Sequence, residues 1–118
     1  MKTKHYFAEL GALEEGRFVI REVANRSVGA TLFQGAPLVI LNSCPHAGAP
    51  ICQGRITSKL VVESAQNLNL DSEHPVLRCP WHGWEFNLED GMVNGFSSRL
   101  RLAKLQYELE NDSLYIWL

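Results

Sequence analysis

The sequence predicts an all-β fold. Apolar and polar residues alternate with period two in its clearest segments, and short β-branched or aromatic runs are separated by Gly, Pro, Asn and Asp. No stretch of ten residues holds a convincing helical period. At 118 residues the chain has room for one domain.

Phe18, Val19, Ile20 and Val23 mark residues 17–23 as a strand, and residues 29–33 read the same way. Gln34, Gly35 and Ala36 then turn the chain into residues 37–41, which makes a hairpin. Residues 60–63 and 75–78 are strands flanking a polar stretch at 64–74. The only helical candidate is a short piece at residues 67–72 inside that stretch. At the end, Leu105, Tyr107 and Leu109 alternate with Gln106, Glu108 and Glu110. Asn111, Asp112 and Ser113 turn, and Leu114, Ile116 and Leu118 alternate with Tyr115 and Trp117. Period two on both sides of a turn predicts a terminal hairpin.

Composition narrows the function classes. Hydrophobic residues at 46% and charged residues at 20% are ordinary globular values. A formal net charge of −2 gives no basic excess for nonspecific nucleic-acid binding. The longest aliphatic run covers residues 38–41, far short of a membrane span. Lys2 and Lys4 are followed by no apolar leader segment, so a soluble, cytoplasmic protein is expected. Three cysteines, Cys44, Cys52 and Cys79, are an odd count that argues against a disulfide framework and for ligand, redox or core roles.

Two short motifs carry the chemistry. Cys44, Pro45, His46, Ala47 and Gly48 form the first; Cys79, Pro80, Trp81, His82 and Gly83 form the second. Each offers one thiolate and one imidazole on a Pro- and Gly-rich segment, and two such loops could clasp one metal centre.

The Cys-x-His and Cys-x-x-His pair resembles the Rieske family of iron–sulfur proteins. The resemblance implies one [2Fe-2S] cluster, with Cys44 and Cys79 on one iron and His46 and His82 on the other. It also implies three antiparallel sheets, with a cluster-binding subdomain at about residues 42–96 inserted into a base domain of residues 1–41 and 97–118. Zinc on two Cys and two His is the competing reading, but Cys-x-His is tighter than zinc-finger spacing and no recognition helix follows. Cys52 reads as a small packed residue rather than a fifth ligand, and His5 and His74 as surface histidines. Trp81 and Trp84 read as packing residues more than as cluster shields or a partner's landing point, and Glu85, Glu89 and Asp90 as a solvated turn more than as groups orienting a redox partner.

High-potential members carry a disulfide between the cluster loops; the matching positions here are Ala49 and Trp81. Their hydroxyl donors to sulfur are matched by Trp84 and Phe86, so a low potential is expected. Only His5 and His74 remain for a second iron site, which argues against a terminal oxygenase. The resemblance is therefore to the ferredoxin component of ring-hydroxylating dioxygenase systems, which passes single electrons from a reductase to a terminal oxygenase. The small subunit of assimilatory nitrite reductase, partnered by its large subunit, is the alternative. Two features depart from the pattern. Thirty-two residues separate His46 from Cys79, which should lengthen the hairpin between the loops. The candidate third loop, residues 91–96, lacks a proline.

Overall fold

The structure, a computed structural model, describes the chain except for residues 46–47, 65–66, 82 and 95–99; for 58–64 and 67–74 it describes the backbone alone. Turn chemistry sets many of its strand pairs. Ala24 and Asn25, Gln34 and Gly35, and Asn111 and Asp112 all have positive φ, between 49° and 80°. Two successive residues of that kind make the tight turn whose twist matches a right-handed hairpin. These turns join β2 (Val19–Val23) to β3 (Arg26–Phe33), β3 to β4 (Ala36–Leu41), and β8 (Tyr107–Glu110) to β9 (Ser113–Trp117). Ala24 is the misfit, because a Cβ in the left-handed region costs about 1 kcal/mol.

Among the described residues nine strands form three antiparallel sheets, in the orders β1-β9-β8, β2-β3-β4 and β5-β6-β7. Here β1 is Lys4–Glu9, β5 Arg55–Ser64, β6 Asn67–Arg78 and β7 Glu85–Asn87. Among the described residues the only helical pieces are 3-10 turns at Leu10–Ala12 and Ile51–Gln53. No helix there is long and apolar enough to cross a membrane. The all-β expectation holds. The chain divides into two compact units, Met1–Ser43 with Ala103–Leu118, and Cys44–Leu102.

The first unit packs Phe7, Ala8, Leu13, Val23, Val28, Ala30, Val39, Leu114 and Ile116 into one core. Strand β1 was not legible in the sequence. A bulge between Tyr6 and Ala8, opposite β9, buries the consecutive side chains of Phe7 and Ala8 and breaks the alternation. The returning chain pairs with β4: Leu41 N–H donates to the Ala103 carbonyl at 2.9 Å, and Leu105 N–H to that of Val39 at 2.8 Å.

In the second unit the residues expected to lengthen the hairpin do so. Lys59, Leu60, Val61 and Val62 stand opposite Asp71, Leu70, Asn69 and Leu68, so the helical candidate at 67–72 is strand. Ladder hydrogen bonds across β5 outweigh the weak local preference for helix. Nearer the cysteines, Ile56, Leu77, Phe86 and Val93 line up across the sheet as one apolar rung, with Leu77 and Phe86 fully buried.

Truncating Phe7 to Ala should lower the unfolding free energy by about 3–5 kcal/mol, through lost apolar burial plus the cavity left behind. Urea denaturation of the two proteins measures it.

Candidate metal centre

Three loops of the second unit share one backbone design. In each, the first residue donates its N–H to the carbonyl five residues on and accepts at its own carbonyl from the N–H four residues on. Cys44 N–H reaches Ala49 O at 2.7 Å, and Gly48 N–H reaches Cys44 O at 2.7 Å. Cys79 N–H reaches Trp84 O at 2.8 Å, and Gly83 N–H reaches Cys79 O at 3.0 Å. Asn87 repeats the pattern with Met92 at 2.8 Å and Gly91 at 2.7 Å. The fifth residue has φ of 73°, 71° and 76° at Gly48, Gly83 and Gly91, the left-handed region that a side chain resists. The Cys-x-His and Cys-x-x-His spacings thus conceal one shared spacing, from Cys to Gly. The loop itself is no metal signature, since Asn87 opens one too. A cysteine at the first position is what sets two of them apart.

Cys44 and Cys79 are 1% and 2% exposed, and neither is in a disulfide. Soft thiolate donors delivered from two matching loops suit iron–sulfur or zinc chemistry. His46 and His82 lie outside the described residues. Among the described residues no three His, Cys, Asp or Glu side chains gather into a metal site. Of the four expected ligands the described part includes Cys44 and Cys79. Cys52 is buried, as expected of a packed residue, and burial pushes its thiol up to about 12. His5 is half-buried on β1 in the first unit, rather than fully at the surface, and the side chain of His74 lies outside the described part.

Gly54 couples the two cysteine loops. It follows the 3-10 turn in which the first loop's segment ends and precedes β5, while Arg78 immediately precedes Cys79. A Cβ on Gly54 would sit 1.9 Å from the Arg78 carbonyl oxygen. The conformation is ordinary, with φ at −73°, so the requirement is space rather than backbone freedom. Sequence reading missed this residue because the neighbour that crowds it is distant along the chain.

Glu85 was expected in a solvated turn, and Glu89 and Asp90 are indeed exposed. The Glu85 side chain is only 12% exposed, and its carboxylate accepts from the Arg78 guanidinium and, at 3.1 Å, from the Asn94 amide. Asn94 N–H also donates to the Glu85 carbonyl at 2.7 Å. One acid therefore clamps both strands flanking the second loop to the start of the third-loop segment, residues 91–94. Trp84 is half-buried, but Trp81 is 59% exposed, which corrects its reading as a packing residue. The second loop's hydrogen bonds hold its ends, and Trp81 lies in the span between them.

A family model for the Rieske [2Fe-2S] domain matches residues 3–106. Human apoptosis-inducing factor 3 is 31% identical over 75 residues, 64% of this chain. The chain spans about a tenth of the length of that relative, since the match covers 10% of it. A Mycobacterium tuberculosis protein described as an NADH-dependent nitrite reductase small subunit has a TM-score of 0.74 at 14% identity, over 100% of this chain and 96% of its own. The ferredoxin of carbazole 1,9a-dioxygenase from Nocardioides aromaticivorans IC177 has a TM-score of 0.69 at 19% identity, over 97% and 96%. At these identities the structural likeness establishes the fold.

Gly54→Ala should lower the iron retained per folded chain severalfold, while Gly11→Ala, whose added methyl meets nothing within 4 Å, should leave it unchanged. Metal analysis of both purified variants checks this. Cys52 should resist iodoacetamide at pH 8 in the native protein and react once unfolded. Because burial raises its pKa from the ordinary 9.0 to about 12, its contribution to stability is complete below about pH 9 and falls as pH rises towards 12. Denaturation of wild type and Cys52→Ala across that window should show a steeper loss in the wild type.

Proposed function

The chain belongs to the Rieske [2Fe-2S] domain family, and from that premise we propose that it carries single electrons between redox proteins. Its ligands are Cys44 and Cys79 on one iron and His46 and His82 on the other. The observation supporting this is the pair of matching loops that each bury a cysteine at the first position. When bound, a cluster of this type supplies a one-electron couple.

The chain's own residues do the rest. Burial of Cys44 and Cys79 keeps water from the thiolates. The Gly48 and Gly83 N–H groups hold the two cysteine carbonyls, and the Ala49 and Trp84 carbonyls hold the two cysteine N–H groups. Little of the protein then has to rearrange as charge arrives or leaves. The clamp from Glu85 to Arg78 and Asn94 adds stiffness on the second loop's side.

The acceptor is a terminal, ring-hydroxylating oxygenase and the donor a reductase. The likeness to a dioxygenase ferredoxin over nearly the full length of both chains supports this reading. A second reading, a small subunit that serves a nitrite reductase, is favoured by the likeness to the M. tuberculosis protein. Purified reductase–oxygenase and nitrite reductase pairs, each supplied with the reduced chain, separate the two by which acceptor turns over.

Purified protein should hold two irons and two acid-labile sulfides per chain, as a [2Fe-2S] centre requires, with a potential in the lower part of the range of about −150 to +300 mV. The low value follows from the absence of hydroxyl groups at Trp84 and Phe86. Cys44→Ser and Cys79→Ser should each abolish iron and sulfide. Zinc in place of iron in protein prepared without oxygen would refute the proposal.

A further inference from the structure

Arg55, Arg78 and Glu85 stand side by side across β5, β6 and β7. Two arginines directly opposite each other on neighbouring strands repel and destabilise the sheet locally. Glu85 answers the charge of Arg78. Among the described residues no carboxylate pairs with Arg55, which is exposed. The row therefore keeps one uncompensated positive charge at the end of the strand beside the second cysteine loop.

The row borders a recess. Arg55 and Arg78 line a cavity of about 360 Å³ together with Gln53, Gly54, Cys79, Pro80 and Gly83. The two glycines contribute no side chain, and the arginine stems give the walls an apolar lining. The guanidinium fork of Arg55 matches a carboxylate in two parallel hydrogen bonds. Trp81, 59% exposed, follows Pro80 directly and adds a large apolar surface to the same loop. An aromatic beside a single arginine is the composition of a protein-docking patch, whereas a free anion would gain nothing from the indole.

We propose that this recess receives an Asp or Glu side chain of a redox partner, seating the partner on the second cysteine loop. The proposal rests on the electron-carrier reading. It names the partner's recognised feature: an acidic side chain with apolar surface next to it. One exposed ion pair contributes little affinity, which suits a carrier that must leave after each transfer.

The test uses the cluster-loaded 118-residue chain titrated with acetylated tetraglutamate amide while arginine side-chain N–H signals are followed by NMR. The Arg55 signal should move saturably and that of Arg21, exposed in the first unit, should not. Arg55→Gln should raise the apparent Kd about threefold or more, Arg55→Lys should recover part of it, and added salt should weaken wild-type binding. Removing a like-charge pair should leave the melting temperature unchanged or higher, so the variant stays folded. Equal responses at Arg21 and Arg55, or unchanged binding by Arg55→Gln, would overturn the proposal. So would inorganic phosphate displacing the peptide at lower concentration than the peptide itself requires, because the recess would then be a free-anion site. Iron and sulfide content of the same sample tests the carrier reading separately, and the Arg55 shift is readable whatever that content proves to be.

Discussion

The second unit depends on a six-residue loop closed by two backbone hydrogen bonds around a left-handed glycine. The loop solves a specific problem. A buried cysteine needs its backbone polar groups satisfied, yet its neighbours must leave the strand and return within a few residues. Tying the cysteine's own N–H and carbonyl across the loop satisfies both polar groups where water cannot. Glycine at the fifth position then makes the required φ cost nothing in steric terms.

The two cysteine loops must also keep a fixed separation, and different forces act on different sides. Gly54 allows the chain leaving the first loop to lie directly on the Arg78 carbonyl, so close approach replaces side-chain packing there. Beneath them the rung from Ile56 through Leu77 and Phe86 to Val93 supplies apolar burial. Glu85 closes the far side electrostatically. Its carboxylate is mostly shielded whereas the Arg78 side chain is 45% exposed, so losing Arg78 would leave the acid poorly solvated.

Much of this was legible in the sequence. The terminal hairpin follows from its period of two, the β3–β4 hairpin from Gln34 and Gly35, and the thiol positions from the two Cys–Gly segments. What was not legible is non-local. Strand β1 hides behind a bulge that places Phe7 and Ala8 both inside, and β7 is only three residues long. Residues 67–72 look polar enough for a helix until β5 offers them a ladder. Gly54 and Glu85 look unremarkable until the chain brings Arg78 and Asn94 beside them. The exposure of Trp81 could not be read from a Cys-Pro-Trp-His string, in which buried and exposed tryptophans look alike.

The third loop, opened by Asn87 rather than by a cysteine, means that scaffold and chemistry are separable in this fold. In these three loops the backbone pins a first position with a glycine four residues on, and the side chain placed there decides what that position does. Such a loop is a cassette: a hairpin end that can be written with an amide for architecture or with a thiol for ligation, without redrawing the strands on either side. New ligands could enter the fold by single substitutions into slots that already exist, and existing ones could retire into purely structural joints.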